Sequence, residues 1–170
     1  MIKVMKSAIP ALLVVSALLF SSSIPGGPIE NRSFSNLSPV VVASFNVFLT
    51  ALGIGSLFAA YYARKARRGA FLAAAICGLG YFLVYILDLF RIFPVSLDAM
   101  SSRLWDVEVA GAILAVPLML LAPVAAFQPP DEDGGHAQRA PMKASLWIGF
   151  VVGVIALAII AFATYSAIRK

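Results

Sequence analysis

At 170 residues, 61% hydrophobic and only 12% charged, this chain has too little polar surface to cover itself in water, so the bilayer has to be its solvent. The net charge of +5 does not point to nucleic acid, because the lysines and arginines flank apolar runs instead of gathering into one patch. The length suits one bundle and leaves no room for a separate soluble domain.

Five apolar runs predict an all-α integral membrane helical bundle with spans at about 7–24, 40–62, 70–93, 107–127 and 146–168. A stretch such as Leu157 to Phe162 lacks the inside/outside alternation of a barrel strand, and inside lipid only helices or closed barrels satisfy every backbone group. The first run, Ser7 to Ile24, reads in two ways. Lys3 and Lys6 before Ala8 to Phe20 and the small residues Ser21, Ser22 and Ser23 resemble a signal peptide, which would leave four helices. The absence of Ala-x-Ala at the end of the run and the early Pro10 favour a retained fifth span.

The segment from Ile24 to Pro39 reads as a polar outer loop, with Pro25, Gly26, Gly27 and Pro28 as breakers and two glycosylation-type triplets at Asn31 and Asn36. Between the second and third spans lie Arg64, Lys65, Arg67 and Arg68. A short, strongly basic loop is a cytoplasmic signal, and these cations also suit anionic lipid headgroups. That orientation places eight Lys and Arg inside and five outside, with the C-terminus outside and the plasma (inner) membrane as the expected location. Pro117 and Pro123 predict a kinked fourth helix, and the Gln128 to Ser145 loop, acidic at Asp131 to Asp133, predicts a flexible inner hinge.

The missing chemistry narrows the function. One histidine, His136, and one cysteine, Cys77, exclude bis-histidine haem and an internal dithiol pair. No phosphate loop, hydrolase triad or zinc-protease motif is present, so neither catalysis, nor a metal, nor a bound cofactor is expected.

Polar residues at membrane depth are the best pointer to function, because an ionisable side chain there is costly. Asp88 and Asn46 lie roughly 7 to 9 Å inside the outer boundary at the helical rise. With Tyr85, Arg91, Asp106 and Glu108 they form a candidate polar pocket open to the outside, for a cation, a lipid headgroup or a partner's loop. The alternative is local pairing: Asp88 with Arg91 three residues on, and Asp106 and Glu108 at a helix N-terminus.

Small residues recur every four positions at Ala51, Gly55 and Ala59, and at Ser145, Gly149 and Gly153, the spacing that lets helix backbones approach closely within the bundle or against other subunits. Gly69, Ala73 and Cys77 form a third ridge, which Gly78 and Gly80 are expected to loosen. Trp105, Trp147, Tyr61, Tyr62, Phe93 and Tyr165 mark the span ends.

From Ser38 through Leu89, the loop ending in Pro39, the segment Ser44-Phe45-Asn46-Val47-Phe48-Leu49, the basic inner loop and the Ala- and Gly-rich third span resemble small membrane proteins of the Frag1/DRAM/Sfk1 type and related bacterial families. The resemblance implies a multi-span bundle and carries no catalytic residues.

Three function classes follow. The first is a non-catalytic accessory or assembly subunit of a larger membrane complex. The second is a lipid-binding or lipid-organising protein, and the third a small transporter or channel.

Overall fold

The computed structural model describes residues 2–27, 29–128 and 146–169, with side chains from 7 to 128 except 28, and from 150 to 169. His136, the Asp131 to Asp133 acidic run and Ser145 lie outside the described residues. The described residues form five helices: α1 (Ile2–Ser22), α2 (Pro39–Arg64), α3 (Arg68–Leu89), α4 (Ser102–Ala126) and α5 (Leu146–Ile168). Four of them, α2 to α5, are long and apolar enough to cross a membrane, whereas the apolar part of α1 is the shorter stretch Ser7–Ser22.

Local sequence sets the helix ends. Ser38 and Ser101 cap α2 and α4, their hydroxyls accepting from the amides of Val41 (3.3 Å) and Leu104 (3.2 Å), and Pro39 fits the first helical position, where no amide proton is needed. The Ser101 cap starts α4 five residues before the predicted boundary, which places Trp105 and Asp106 inside the helix along with Glu108.

At their other ends α2 and α3 stop alike. Past α2, the amides of Ala66 and Arg67 return to the carbonyls of Ala63 (2.9 Å) and Tyr62 (3.4 Å). Past α3, those of Arg91 and Ile92 return to Asp88 and Leu87 (both 2.8 Å). This is the Schellman pattern, and it puts Ala66 (φ 51°) and Arg91 (φ 55°) in the left-handed conformation that glycine usually supplies. The third helix therefore ends at Leu89, short of the predicted Phe93.

The chain runs up and down between two ends. The turn end carries residues 65–67. The cap end carries the loops 23–38 and 90–101. The most extensive pairing joins α3 to α4, and α1 lies against α2, α3 and α4. Ile9 and Leu13 of α1 are fully buried, and Phe20 sets its ring edge-on to Tyr81 (5.1 Å) and Tyr85 (6.0 Å) of α3.

Glycine makes the α3–α4 seam close. A Cβ on Gly78 would come within 2.8 Å of Leu118 Cβ and Met119 N, and one on Gly111 would overlap the Tyr85 ring. Gly78 thus tightens the packing that the sequence reading expects it to loosen, and Gly80 is filled by the Leu52 side chain. Conversely, nothing lies within 4 Å of a Cβ at Gly55, Gly69 or Gly153, so those glycines do not serve internal contacts among the described residues. In the ridges they belong to, Ala51 is exposed and Ala59 buried. Gly149 lies in the first turn of α5, beyond the described burial. Among the described residues, α2 is the one helix that α5 packs against. α4 stays helical through Pro117 and Pro123.

Candidate functional site

Two elements of the cap end build the site. The first is the loop after α1, which is pinned from three sides. Ser33 N donates to Asp98 Oδ2 (2.6 Å), Ser96 Oγ to Ser33 O (2.7 Å), and Asn36 Nδ2 to Val95 O (2.9 Å), tying it to the α3–α4 loop. Phe34 N donates to Ala167 O (2.9 Å) at the end of α5, and the Phe34 ring is buried beside Val42 and Ala167. Held this way, the loop directs Arg32 into the bundle.

There Arg32 meets the second element, the acidic side chains of α3 and α4. Its Nη1 and Nη2 donate to Asp88 Oδ1 (2.8 Å) and Oδ2 (2.6 Å), a two-pronged pair. Its Nε and Nη2 also reach Glu30, the shortest contact being Nη2 to Oε2 at 2.6 Å. Glu108 Oε1 stands 3.9 Å from Nη2. All four residues are buried: Glu30 is 4%, Arg32 5%, Asp88 6% and Glu108 3% exposed. Burial by itself pulls the Arg32 pKa down. The hydrogen bonds and charges of Asp88 and Glu30 more than offset that and hold it above the ordinary arginine value.

Three carboxyl groups face one guanidinium, and the satisfaction is uneven. Glu108 Oε2 and Tyr85 Oη are both buried without a hydrogen-bond partner among the described residues. An unpaired buried polar atom costs about 1–3 kcal/mol, so these two are where a further donor would be favourable.

Both residues line a cavity of about 280 Å³. Its floor is a stripe of α2, including Val42, Phe45, Leu49, Gly53 and Leu57, and its sides are Ala17, Leu18 and Ser21 of α1 and Ile155, Ile159 and Ala163 of α5. Glu30, Arg32, Asp88 and Glu108 close its polar end. Leu18, Leu57 and Ile155 are exposed, so the apolar stretch is a groove open at the side of the bundle.

The structure brings together Asn46, Tyr85, Asp88 and Glu108 of the sequence-derived pocket as lining of this cavity. Asn46 does not meet Asp88; its Nδ2 donates to Thr164 Oγ1 of α5 at 3.0 Å. Arg91 is excluded. Because α3 ends at Leu89, residue 91 leaves the helical face of Asp88, and its Nη2 donates to Asp98 O (3.2 Å) in the exposed loop. Asp106 is exposed, since two residues along a helix from Glu108 point to the opposite side.

Glu30 and Arg32 are the residues the sequence reading passed over. The available signal was a balance of charge: two carboxyl groups, Asp88 and Glu108, sit in apolar spans, and Arg32 is one of the few basic residues expected on the same side of the membrane.

At the turn end Arg64, Lys65, Arg67 and Arg68 are all exposed. Lys65 Nζ donates to Tyr61 Oη (2.7 Å), Arg67 lies over Tyr62 (5.2 Å) and Arg68 over Phe127 (4.9 Å).

Fold and site together define a helical bundle with four helices of membrane-crossing length and a charged cluster closing an apolar groove. Residues 5–140 match the model of a family described as a domain of unknown function, DUF8051, and the chain belongs to that family. No curated protein and no solved structure matches it. The matched region contains all four members of the charged cluster, whereas α5, one side of the groove, lies beyond it.

Proposed function

We propose that this protein is a non-catalytic, lipid-binding membrane protein that takes an acyl chain into the groove between α1, α2 and α5. The observation that carries the reading is the groove itself: apolar along its length, open sideways at Leu18, Leu57 and Ile155, and closed by charge at one end. Pockets for small ligands run from about 300 to 1,000 Å³, so about 280 Å³ suits a single chain better than a whole diacyl lipid. In this reading α1 is a retained span. The turn end lies in the cytoplasm of a plasma (inner) membrane, with Arg64, Lys65, Arg67 and Arg68 among anionic headgroups, and the cap end faces outward with the C-terminus.

Gly53→Leu is the test. Gly53 lines the groove and has nothing within 4 Å of a Cβ, so a leucine there leaves the backbone into open groove space and favours the helix. Lipid extracted from the purified protein should fall well below wild type while the melting temperature holds or rises. Equal lipid per chain in both proteins would sink the reading.

A second reading, an accessory or assembly subunit, draws support from the unused space over Gly55 and Gly153 and from the exposed face of α5, with Phe150, Val154 and Leu157 outward. Gentle extraction of the native membrane, native electrophoresis and mass spectrometry test it. A chain that migrates without other proteins counts against it.

A further inference from the structure

The polar end of the groove has the wrong charge for most lipid headgroups. Phosphate or carboxylate arriving there would face Glu30, Asp88 and Glu108. The one cation, Arg32, already spends its Nε, Nη1 and Nη2 on Asp88 and Glu30. Two oxygens able to accept a hydrogen bond remain open at the same place, Glu108 Oε2 and the hydroxyl Tyr85 Oη, both buried, unpartnered among the described residues and on residues lining the groove. Among those residues no three His, Cys, Asp or Glu side chains are arranged to hold a metal ion, and the guanidinium occupies the centre of the acidic cluster. The vacancy thus calls for hydrogen-bond donors and positive charge, attached to something apolar enough to lie along Leu49, Gly53 and Leu57.

We propose that the groove selects a long-chain amine, its alkyl chain along α2 and its protonated nitrogen donating to Glu108 Oε2 and Tyr85 Oη. This rests on the lipid-binding reading and adds the chemistry of the head. The ammonium loses its hydration on entering, and the surplus of carboxyl groups over guanidinium at the site offsets that cost. An alcohol of the same chain length can donate one hydrogen bond but brings no charge, and a carboxylate brings the wrong one.

The experiment uses dodecylamine, 1-dodecanol and dodecanoate as probes, with binding to the purified full chain in a non-ionic detergent measured by equilibrium dialysis. A charge-assisted hydrogen bond contributes about 1.5–3 kcal/mol, so dodecylamine should bind about tenfold or more tighter than dodecanol, and dodecanoate weakest. Glu108→Gln keeps the shape and replaces the carboxyl group with an amide. Tyr85→Phe removes one acceptor, and together they keep the test available should either variant fold poorly. Each folded variant should shrink the amine-over-alcohol preference and leave dodecanol binding unchanged. Gly53→Leu should abolish binding of both amine and alcohol. Equal affinity for amine and alcohol in the wild type, or an amine preference that survives in Glu108→Gln and Tyr85→Phe, overturns the amine assignment while leaving the groove. Binding of none of the probes, or binding unaffected by Gly53→Leu, overturns the groove reading along with it.

Discussion

At the turn end four basic side chains stand in the open, three of them resting on the rings of Tyr61, Tyr62 and Phe127. At the cap end a single arginine is drawn inside and surrounded by Glu30, Asp88 and Glu108. The difference lies in the connections. The turn is three residues long, Lys65 to Arg67, and has no chain to fold back over the bundle. The loop from Ser23 to Ser38 is long enough to return, and its hydrogen bonds to the 90–101 loop and to α5 keep it there. Exposed cations contribute little to stability because water and salt screen them. A buried one organises the groups around it, and its removal leaves charges unpaired.

Substitutions at the two ends should therefore separate widely. Arg32→Ala leaves three carboxyl groups buried without a cation and should show the largest effect, a loss of about 3–5 kcal/mol, seen as a sharp fall in melting temperature in detergent. Arg32→Lys should recover only part of it, because an ammonium cannot grip Asp88 with two parallel bonds. If Arg32→Ala melted like wild type, the contrast between the ends would collapse.

Asp88→Asn comes next. It removes one side of the pair but leaves Glu30 on the guanidinium, so a loss of about 1–3 kcal/mol is expected from the same melting assay. Asp106→Asn, on the exposed face two residues from Glu108, is its control and should melt unchanged.

Smaller still is the effect of glycine at the left-handed stops, one at each end. Ala66→Gly should raise stability by about 0.5–1 kcal/mol by relieving the positive φ, and Arg91→Gly should act in the same direction. Matching gains would show that the helix stops are equivalent and that the contrast resides in the side chains.

The smallest effect is reserved for Arg64, Lys65, Arg67 and Arg68 changed together to Gln, for which no resolvable change in melting temperature is expected. Its consequence should appear in orientation: accessibility of a reporter thiol placed in the 90–101 loop of membrane vesicles should shift towards mixed topology.

Much of the fold was legible in particular residues. Ser38-Pro39 announces the start of α2, and apolar runs of about 20 residues announce spans because helix rise and bilayer thickness are fixed lengths. The end of α3 was not legible, because the Leu87 to Phe93 sequence is apolar enough to continue and its stop uses Arg91 where glycine would have been the signal. The same hidden stop assigned Arg91 to Asp88 on helical spacing. Four of the six pocket residues read from sequence, Asn46, Tyr85, Asp88 and Glu108, line the groove. Spacing shows which residues share a helix face but not which loop returns over it.

The sequence by itself determined a chain of apolar helices, their approximate number and the uneven placement of charge, because these follow from composition and from the local geometry of one segment at a time. Only the tertiary structure decided that Arg32, 56 residues before Asp88, is its partner, that Gly78 and Gly111 make the close seam, and that an apolar groove ends at Glu108 and Tyr85. Each of these depends on which segments lie side by side. That choice is made by packing and by the cost of leaving a buried charge alone, neither of which has a period along the chain.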